Sequence, residues 1–321
     1  MHFRSNCFFG YKCKERLCMQ SKTRKLKKFL KQWQLYLLIL PAAVYLLIFN
    51  YQPMYGVQIA FRDFSIRDGI WGSEWVGLKY IKQFIEYPNF KLLLGNTLRL
   101  GVYTLAVFPC PVIFALMLNE VRNNKLKKSI QMISYMPYFL STVVVCSLLM
   151  IFTDKDAGVI NTLIEALGGT RMDFMTEAAW FDDLYVWSAV WKNMGFDAII
   201  YIAALSSVPE ELVEAARIDG ANRLKIIWHV NIPSILPTIV IMLILASGHI
   251  LGVGYEKVLL LQNDLNLSAS QIISTYVYEL GIRGGQFSYS SAIGLFNNVV
   301  NVLILWIVNT ISKKVSETGL W

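Results

Sequence analysis

Between two apolar stretches runs Ser206-Ser207-Val208-Pro209-Glu210-Glu211-Leu212-Val213-Glu214-Ala215-Ala216-Arg217-Ile218-Asp219-Gly220-Ala221, and after it come Asn222, Pro233 and Pro237. The stretch reads as one short, punctuated helix. Ser207 can cap its N-terminus, and Glu210 three residues later completes a capping box. Pro209 falls in the first turn, where a missing N–H costs nothing. The acidic residues crowd the positive end of the helix dipole. Leu212, Ala215 and Ala216 share an apolar stripe at helical spacing. Gly220 stands where a left-handed residue ends a helix, and Asn222 can start a second helix through Trp228 and His229. The small stripe lets another surface approach closely and offers little to hold the helix to lipid. A helical hairpin resting on a membrane is the plainer reading of the same residues.

The flanks decide the fold class. Of 321 residues 55% are hydrophobic and only 16% charged, with mean hydropathy +0.45, whereas soluble domains carry about 25% charged residues. The apolar excess lies in runs of the length that crosses a bilayer, about 20 residues. Six are present: 35–51; 98–118, with Arg99 at its edge; one within the charge-free stretch 129–153; 184–208, which contains Lys192 and Asp197; 235–253; and 291–311. No small-x-small cleavage site follows the first run, so it reads as an uncleaved anchor rather than a signal peptide. The expectation is an all-α, polytopic membrane protein with six transmembrane helices (35–321) behind a basic leader (1–34), with the loop 206–234 between spans 4 and 5.

Charge fixes the orientation. With the N-terminus in the cytoplasm and sides alternating, 19 of the 30 Lys and Arg fall inside and nine outside, while Arg99 and Lys192 lie in spans. Acidic residues run the other way, seven inside and 14 outside. This is the positive-inside bias, and it places both termini in the cytoplasm. The net charge of +8 is therefore a topology signal, and nucleic-acid binding explains it poorly. Residues 22–31 hold six basic side chains interleaved with Leu26, Phe29 and Leu30. They read as a juxtamembrane helix on anionic lipid headgroups, or else as a regulatory or partner-binding segment. Cys7, Cys13, Cys18, Cys110 and Cys146 have no metal-ligand spacing and imply no disulfide framework.

Glu214-Ala215-Ala216, Gly220 four positions after Ala216, and Val230-x-Ile232-Pro233 together resemble the loop signature of ATP-binding-cassette importer permeases. Val230 and Ile232 replace the more usual Ile and Leu, a conservative change. The resemblance extends over most of the chain. The stretch Pro53-Met54-Tyr55-Gly56-Val57-Gln58-Ile59-Ala60-Phe61, the turn Trp75-Val76-Gly77-Leu78 and the closing Gly319-Leu320-Trp321 are similar to carbohydrate-importer permeases of the polysaccharide type. The resemblance implies the type I importer permease fold, a second permease subunit, two cytoplasmic ATPase subunits that bind ATP and Mg, and an extracytoplasmic solute-binding protein. It also implies that Glu214, Ala215, Ala216, Asp219 and Gly220 seat in a cleft on the ATPase, and that the solute is an oligosaccharide.

The residues agree with a chain that draws its energy from elsewhere. A P-loop needs Gly-x-x-x-x-Gly-Lys-Ser/Thr, and no Gly here is followed by Lys. No His-Glu-x-x-His or Gly-x-Ser-x-Gly occurs either, so neither an enzyme nor a cofactor of its own is expected. Polar residues inside spans mark cavities or partners. Asn193, Asp197 and Tyr201 recur every four residues on one face of span 4, and Asn297 and Asn301 share a face of span 6. Together they predict a polar pathway opening outward between spans 4 and 6. Asp197 can instead pair with Lys192 or Arg99, and the two asparagines can be polar glue between helices. His249 reads as a packing residue in the outer part of span 5. Trp71, Trp75, Tyr80 and Trp180 suit interface belts as well as sugar stacking. A self-sufficient secondary transporter driven through Asp197 is the alternative, although no internal repeat of that class is visible.

Overall fold

The computed structural model describes residues 33–316 and Gly319. Most of the basic leader, with Cys7, Cys13 and Cys18, and the closing Leu320-Trp321 lie outside the described residues. The chain divides into two compact units, Met1–Gln58 and Ile59–Trp321. In the first, α1 (Trp33–Leu46) passes through a π-turn at Leu47–Tyr51 into Gln52–Met54. Counted through the following 3-10 turn, the apolar helix Trp33–Phe61 has 29 residues, more than the expected 35–51. Pro41 sits inside it, and Pro53 occupies a first-turn position of its own short segment, where no donor is lost.

The second unit opens with a two-residue antiparallel ladder, β1 (Arg62–Asp63) on β2 (Glu74–Trp75), with Arg62 opposite Trp75. The Arg62 guanidinium lies over the rings of Trp71 and Trp75, at 5.7 and 5.5 Å. After α2 (Lys79–Ile85), the helices α3 (Phe90–Ala106) and α4 (Pro109–Asn119) make one 30-residue apolar length. It is interrupted where Pro109 lacks a donor for the ladder.

The expected single span in 129–153 is instead a broken one. A helix α5 (Asn124–Tyr135) and a 3-10 turn at Met136–Phe139 meet α6 (Thr142–Thr153) at 102°. Pro137 tightens the chain at the corner, and Ser141 Oγ accepts from Val144 N at 3.2 Å to start the new helix. Beside the corner, the Tyr138 ring stacks on Phe196 at 3.7 Å.

Next comes α7 (Phe181–Ser206), 26 residues or about 39 Å long, enough for a hydrocarbon core of about 30 Å. Asp182, Asp183, Lys192 and Asp197 make it less apolar than the other spans. The short α8 (Glu210–Ile218) leads to a 25-residue helix, Arg223–Ser247, whose later part is α9 (Ile232–Ser247). The fifth span thus lies closer to the N-terminus than 235–253. Asn222 caps it early, a π-turn at Ile227–Asn231 supplies slack ahead of Pro233 and Pro237, and the chain turns at Gly248. Finally α10 (Tyr255–Leu261) precedes α11 (Phe287–Ser316). Among the described residues four helices are long and apolar enough to cross a membrane, and the bent pair makes a fifth. With α7 added by its length, the arrangement is consistent with six spans.

At the centre stands α7. Its Ala198, Tyr201 and Leu205 pack on Val112 and Ala115 of α4 and on Ile235 of α9, and small residues at such contacts let helix backbones approach. Nearer Phe181, its Tyr185 and Val186 pack with Leu100, Cys146 and Val258. A third cluster joins α2, α3 and α11 through Phe84, Leu93, Tyr289 and Ile293.

Candidate coupling helix and translocation cavity

The loop between α7 and α9 is built as a helix–glycine–helix, with a different start from the one expected. Ser207 Oγ donates to Ala204 O at 2.7 Å, finishing α7 rather than capping α8. Pro209 itself is the N-cap residue and makes no side-chain cap bond. Glu210 opens the helix instead of closing a capping box. Glu210 and Glu211 lie in the first turn and Arg217 in the last, each complementing the dipole. The C-terminus is as expected. Gly220 has φ +76°, its N–H donates to Arg217 O at 3.0 Å, and Ala221 N donates to Ala216 O at 2.9 Å. These two bonds are the Schellman closure, which needs a residue that tolerates the left-handed region. Asn222 then starts the next helix, its Oδ1 accepting from Lys225 N at 2.9 Å.

No residue of α8 is buried. Glu214, Ala215, Asp219 and Gly220 are exposed and Ala216 is half-buried. Leu212 is 50% exposed and Ile218 87%. Leu212 and Ala215 of the stripe therefore face outward from the chain, and Ile218 near the end of the helix is uncovered as well.

Three of the five polar span residues come together. Asn193, Asp197 and Tyr201 line a cavity of about 530 Å³ that is also bounded by Gly101 and Thr104 of α3, Met242 of α9 and the turn from His249 to Gly254. Tyr201 is buried, and Asp197 is exposed with no hydrogen bond or ion pair among the described residues. Neither expected ion-pair partner reaches it: the Arg99 guanidinium pairs with Asp182, Nε to Oδ2 at 2.6 Å.

Asn297 and Asn301 do not line the cavity. Asn301 Oδ1 accepts from Leu251 N at 3.0 Å, and Asn297 Nδ2 donates to Leu251 O at 3.2 Å. The cavity consequently lies among α3, α7 and α9, not between spans 4 and 6. His249 is found in the turn beyond α9, as part of the cavity wall.

A polar edge on α3 escapes the reading of the sequence. Asn96 Nδ2 donates to Ser268 O and Gln271 O, both at 3.0 Å. Thr97 Oγ1 accepts from Ile273 N at 3.0 Å, and Tyr103 Oη donates to Asp183 at 2.5 Å. The recurrence of Asn96, Arg99 and Tyr103 every three or four residues in an apolar run is the signal that could have found it.

A long helix, a broken helix and several apolar ones, joined by a short exposed helical loop and enclosing a partly polar cavity, define a helical membrane-transport subunit. The chain belongs to the family of binding-protein-dependent transport system inner membrane components, which matches residues 93–317. Among its relatives is the polygalacturonan/rhamnogalacturonan transport system permease protein YteP of Bacillus subtilis, 44% identical over 94% of each chain. Protein LplB of the same organism is 46% identical over 89% of this chain and 91% of its own. Among solved structures, the chain is similar to one in a bacterial ABC transporter involved in import of the acidic polysaccharide alginate. The identity there is 36% and the TM-score 0.84, covering 91% of this chain and 99% of that one. It is equally similar, at TM-score 0.84 and 36% identity over 92% of this chain and 99% of that one, to a chain of a bacterial alginate ABC transporter in complex with a periplasmic protein carrying an alginate pentasaccharide. The protein is thus a permease of a binding-protein-dependent ABC importer, an inner-membrane component with the type I permease fold.

Proposed function

We propose that this chain is one of two permease subunits of an oligosaccharide importer and that α8 is its coupling helix to one of two ATPase subunits. The observation that carries the reading is the outward-facing stripe of α8, held at a fixed angle by the left-handed corner at Gly220. An apolar stripe left uncovered on a polar loop suits a partner surface. ATP and Mg bind on the ATPase subunits, and this chain supplies no catalysis. Both termini and Arg217 lie in the cytoplasm, as the basic bias requires. An extracytoplasmic solute-binding protein delivers the saccharide to the cavity lined by Asn193, Asp197 and Tyr201. The saccharide class rests on the relatives' substrates. Unmatched polar groups in a dry cavity are penalised by about 1–3 kcal/mol each, so a hydroxyl-rich solute suits such a lining.

Attaching a benzophenone to Ala215→Cys in the assembled importer tests the coupling role. Irradiation is expected to give an adduct with the ATPase subunit. Adducts confined to lipid would favour a hairpin resting on the membrane and contradict the proposal.

A further inference from the structure

The helix α2 turns two different faces to its surroundings. Phe84 is fully buried in the third cluster, with Leu93 and Ile293. Lys79, Lys82, Gln83 and Glu86 recur at helical spacing on another face and line a groove of about 710 Å³. Much of the remaining lining comes from far along the chain: Tyr276 on the helix Ile273–Tyr278, Leu280 in the π-turn after it, Gln286 and Tyr289. Gln286 is fixed just ahead of α11 by its N–H, which donates to Leu280 O at 2.9 Å. The groove shares no lining residue with the cavity around Asp197.

Its floor is aromatic and polar at once. Tyr87 stacks on Tyr276 with ring centroids 5.2 Å apart, and Tyr276 meets Tyr289 edge-on at 6.5 Å. Tyr276 and Tyr289 are buried, so the core holds them in position, whereas Lys79, Lys82, Gln83 and Gln286 are exposed at the rim. Phenols and carboxamides both donate and accept hydrogen bonds, and ammonium groups only donate. The two lysines are held loosely. Lys79 faces Asp63 and Lys82 faces Glu86, each at 3.8 Å with both partners more than half exposed, and such pairs contribute little. Either lysine can turn to another anion. The groove has the volume of a small-ligand site. A protein surface would cover the rim and leave the phenols unreached.

We infer that this groove is a second saccharide site, separate from the cavity, and that Lys79 and Lys82 select for sugar rings that carry carboxylates. Gln83, Gln286 and the tyrosine hydroxyls match ring hydroxyls, the tyrosine rings match the apolar C–H faces of a sugar, and the ammonium groups match carboxylates. In the orientation proposed above, both lining segments lie outside, one between spans 1 and 2 and the other between spans 5 and 6. The inference rests on reading the solute as an oligosaccharide.

The test is equilibrium binding of trigalacturonate to the assembled importer in nanodiscs, without the solute-binding protein. Lys79→Gln combined with Lys82→Gln changes only exposed side chains and is expected to weaken binding about tenfold, as loss of two exposed ion pairs would. Glu86→Gln releases Lys82 and removes the one carboxylate of the lining. It is expected to tighten binding about threefold, a gain that a merely structural role would not give. The fully methyl-esterified trisaccharide is expected to bind the parent and the double variant alike. Absent binding, or equal affinity for trigalacturonate in the parent and the double variant, overturns the groove. A double variant that keeps its affinity for the sugar but loses that for the sugar-free solute-binding protein makes the groove a protein dock, and also overturns it. Import of trigalacturonate by the complete importer checks the saccharide reading separately. Absent import beside groove-dependent binding contradicts that reading and leaves the groove standing.

Discussion

Lys257 carries a charge that the fold has nearly buried. It sits on α10, between the last two spans, with Nζ donating to Tyr185 O at 2.6 Å and lying 4.5 Å over the Tyr185 ring. No carboxylate pairs with it among the described residues. Burial lowers its pKa most, and the Lys192 ammonium pushes the same way, so that it falls from 10.5 to about 8. Between pH 8 and 10.5 the unfolded chain therefore holds a proton that the folded chain has released. Stability must rise with pH across that window, by at most roughly 3 kcal/mol. Lys257→Met is expected to raise the melting temperature of the purified protein at pH 7 and to flatten its rise above pH 8. An unaltered slope would count against this account of Lys257. Nothing in the sequence marks Lys257 as buried, because it stands in a mixed segment whose burial depends on α7. The polar residues of α7 are different: their four-residue spacing shows that they share a face. Asn297 and Asn301 show a common face too, but their partner, Leu251, is far away in sequence and is reached only through the turn after α9.

At the scale of elements, the chain punctuates its helices with single residues, and the consequences can be measured. Gly220→Val forces a β-branched residue into the left-handed corner at roughly 1–2 kcal/mol of local strain. Membrane insertion is expected to persist while transport falls, because α8 is aimed away from its partner. Wild-type transport by normally assembled Gly220→Val protein would contradict the role of the corner. The C-terminal end of α8 and the start of the following helix were legible because glycine and asparagine have specific backbone uses there. Its N-terminus was not, since two serines precede Pro209 and either neighbouring helix can use a hydroxyl; Ser207 serves α7. The break between α5 and α6 was hidden by an apolar run without charge. Pro137 and the Ser141-Thr142 pair were the available signal, a tightened turn followed by an N-cap.

At the scale of the whole molecule, hydrophobic runs were enough to give a helical membrane protein, because the bilayer constrains every span in the same way, and the basic bias supports the orientation proposed above. They could not place the cavity, which depends on how α3, α7 and α9 pack against one another. In the proposed function this assembly moves solute with energy delivered to α8 from an ATPase. The alternative places the energy in an ion gradient acting through the unpaired Asp197. One measurement separates them most directly: solute uptake by proteoliposomes that contain this permease, its partner permease, the ATPase subunits and the solute-binding protein, without any ion gradient. Uptake that requires ATP on the ATPase side and disappears in Glu214→Lys protein is the predicted result. Uptake by this chain alone, driven by a proton or sodium gradient without ATP, would contradict the account.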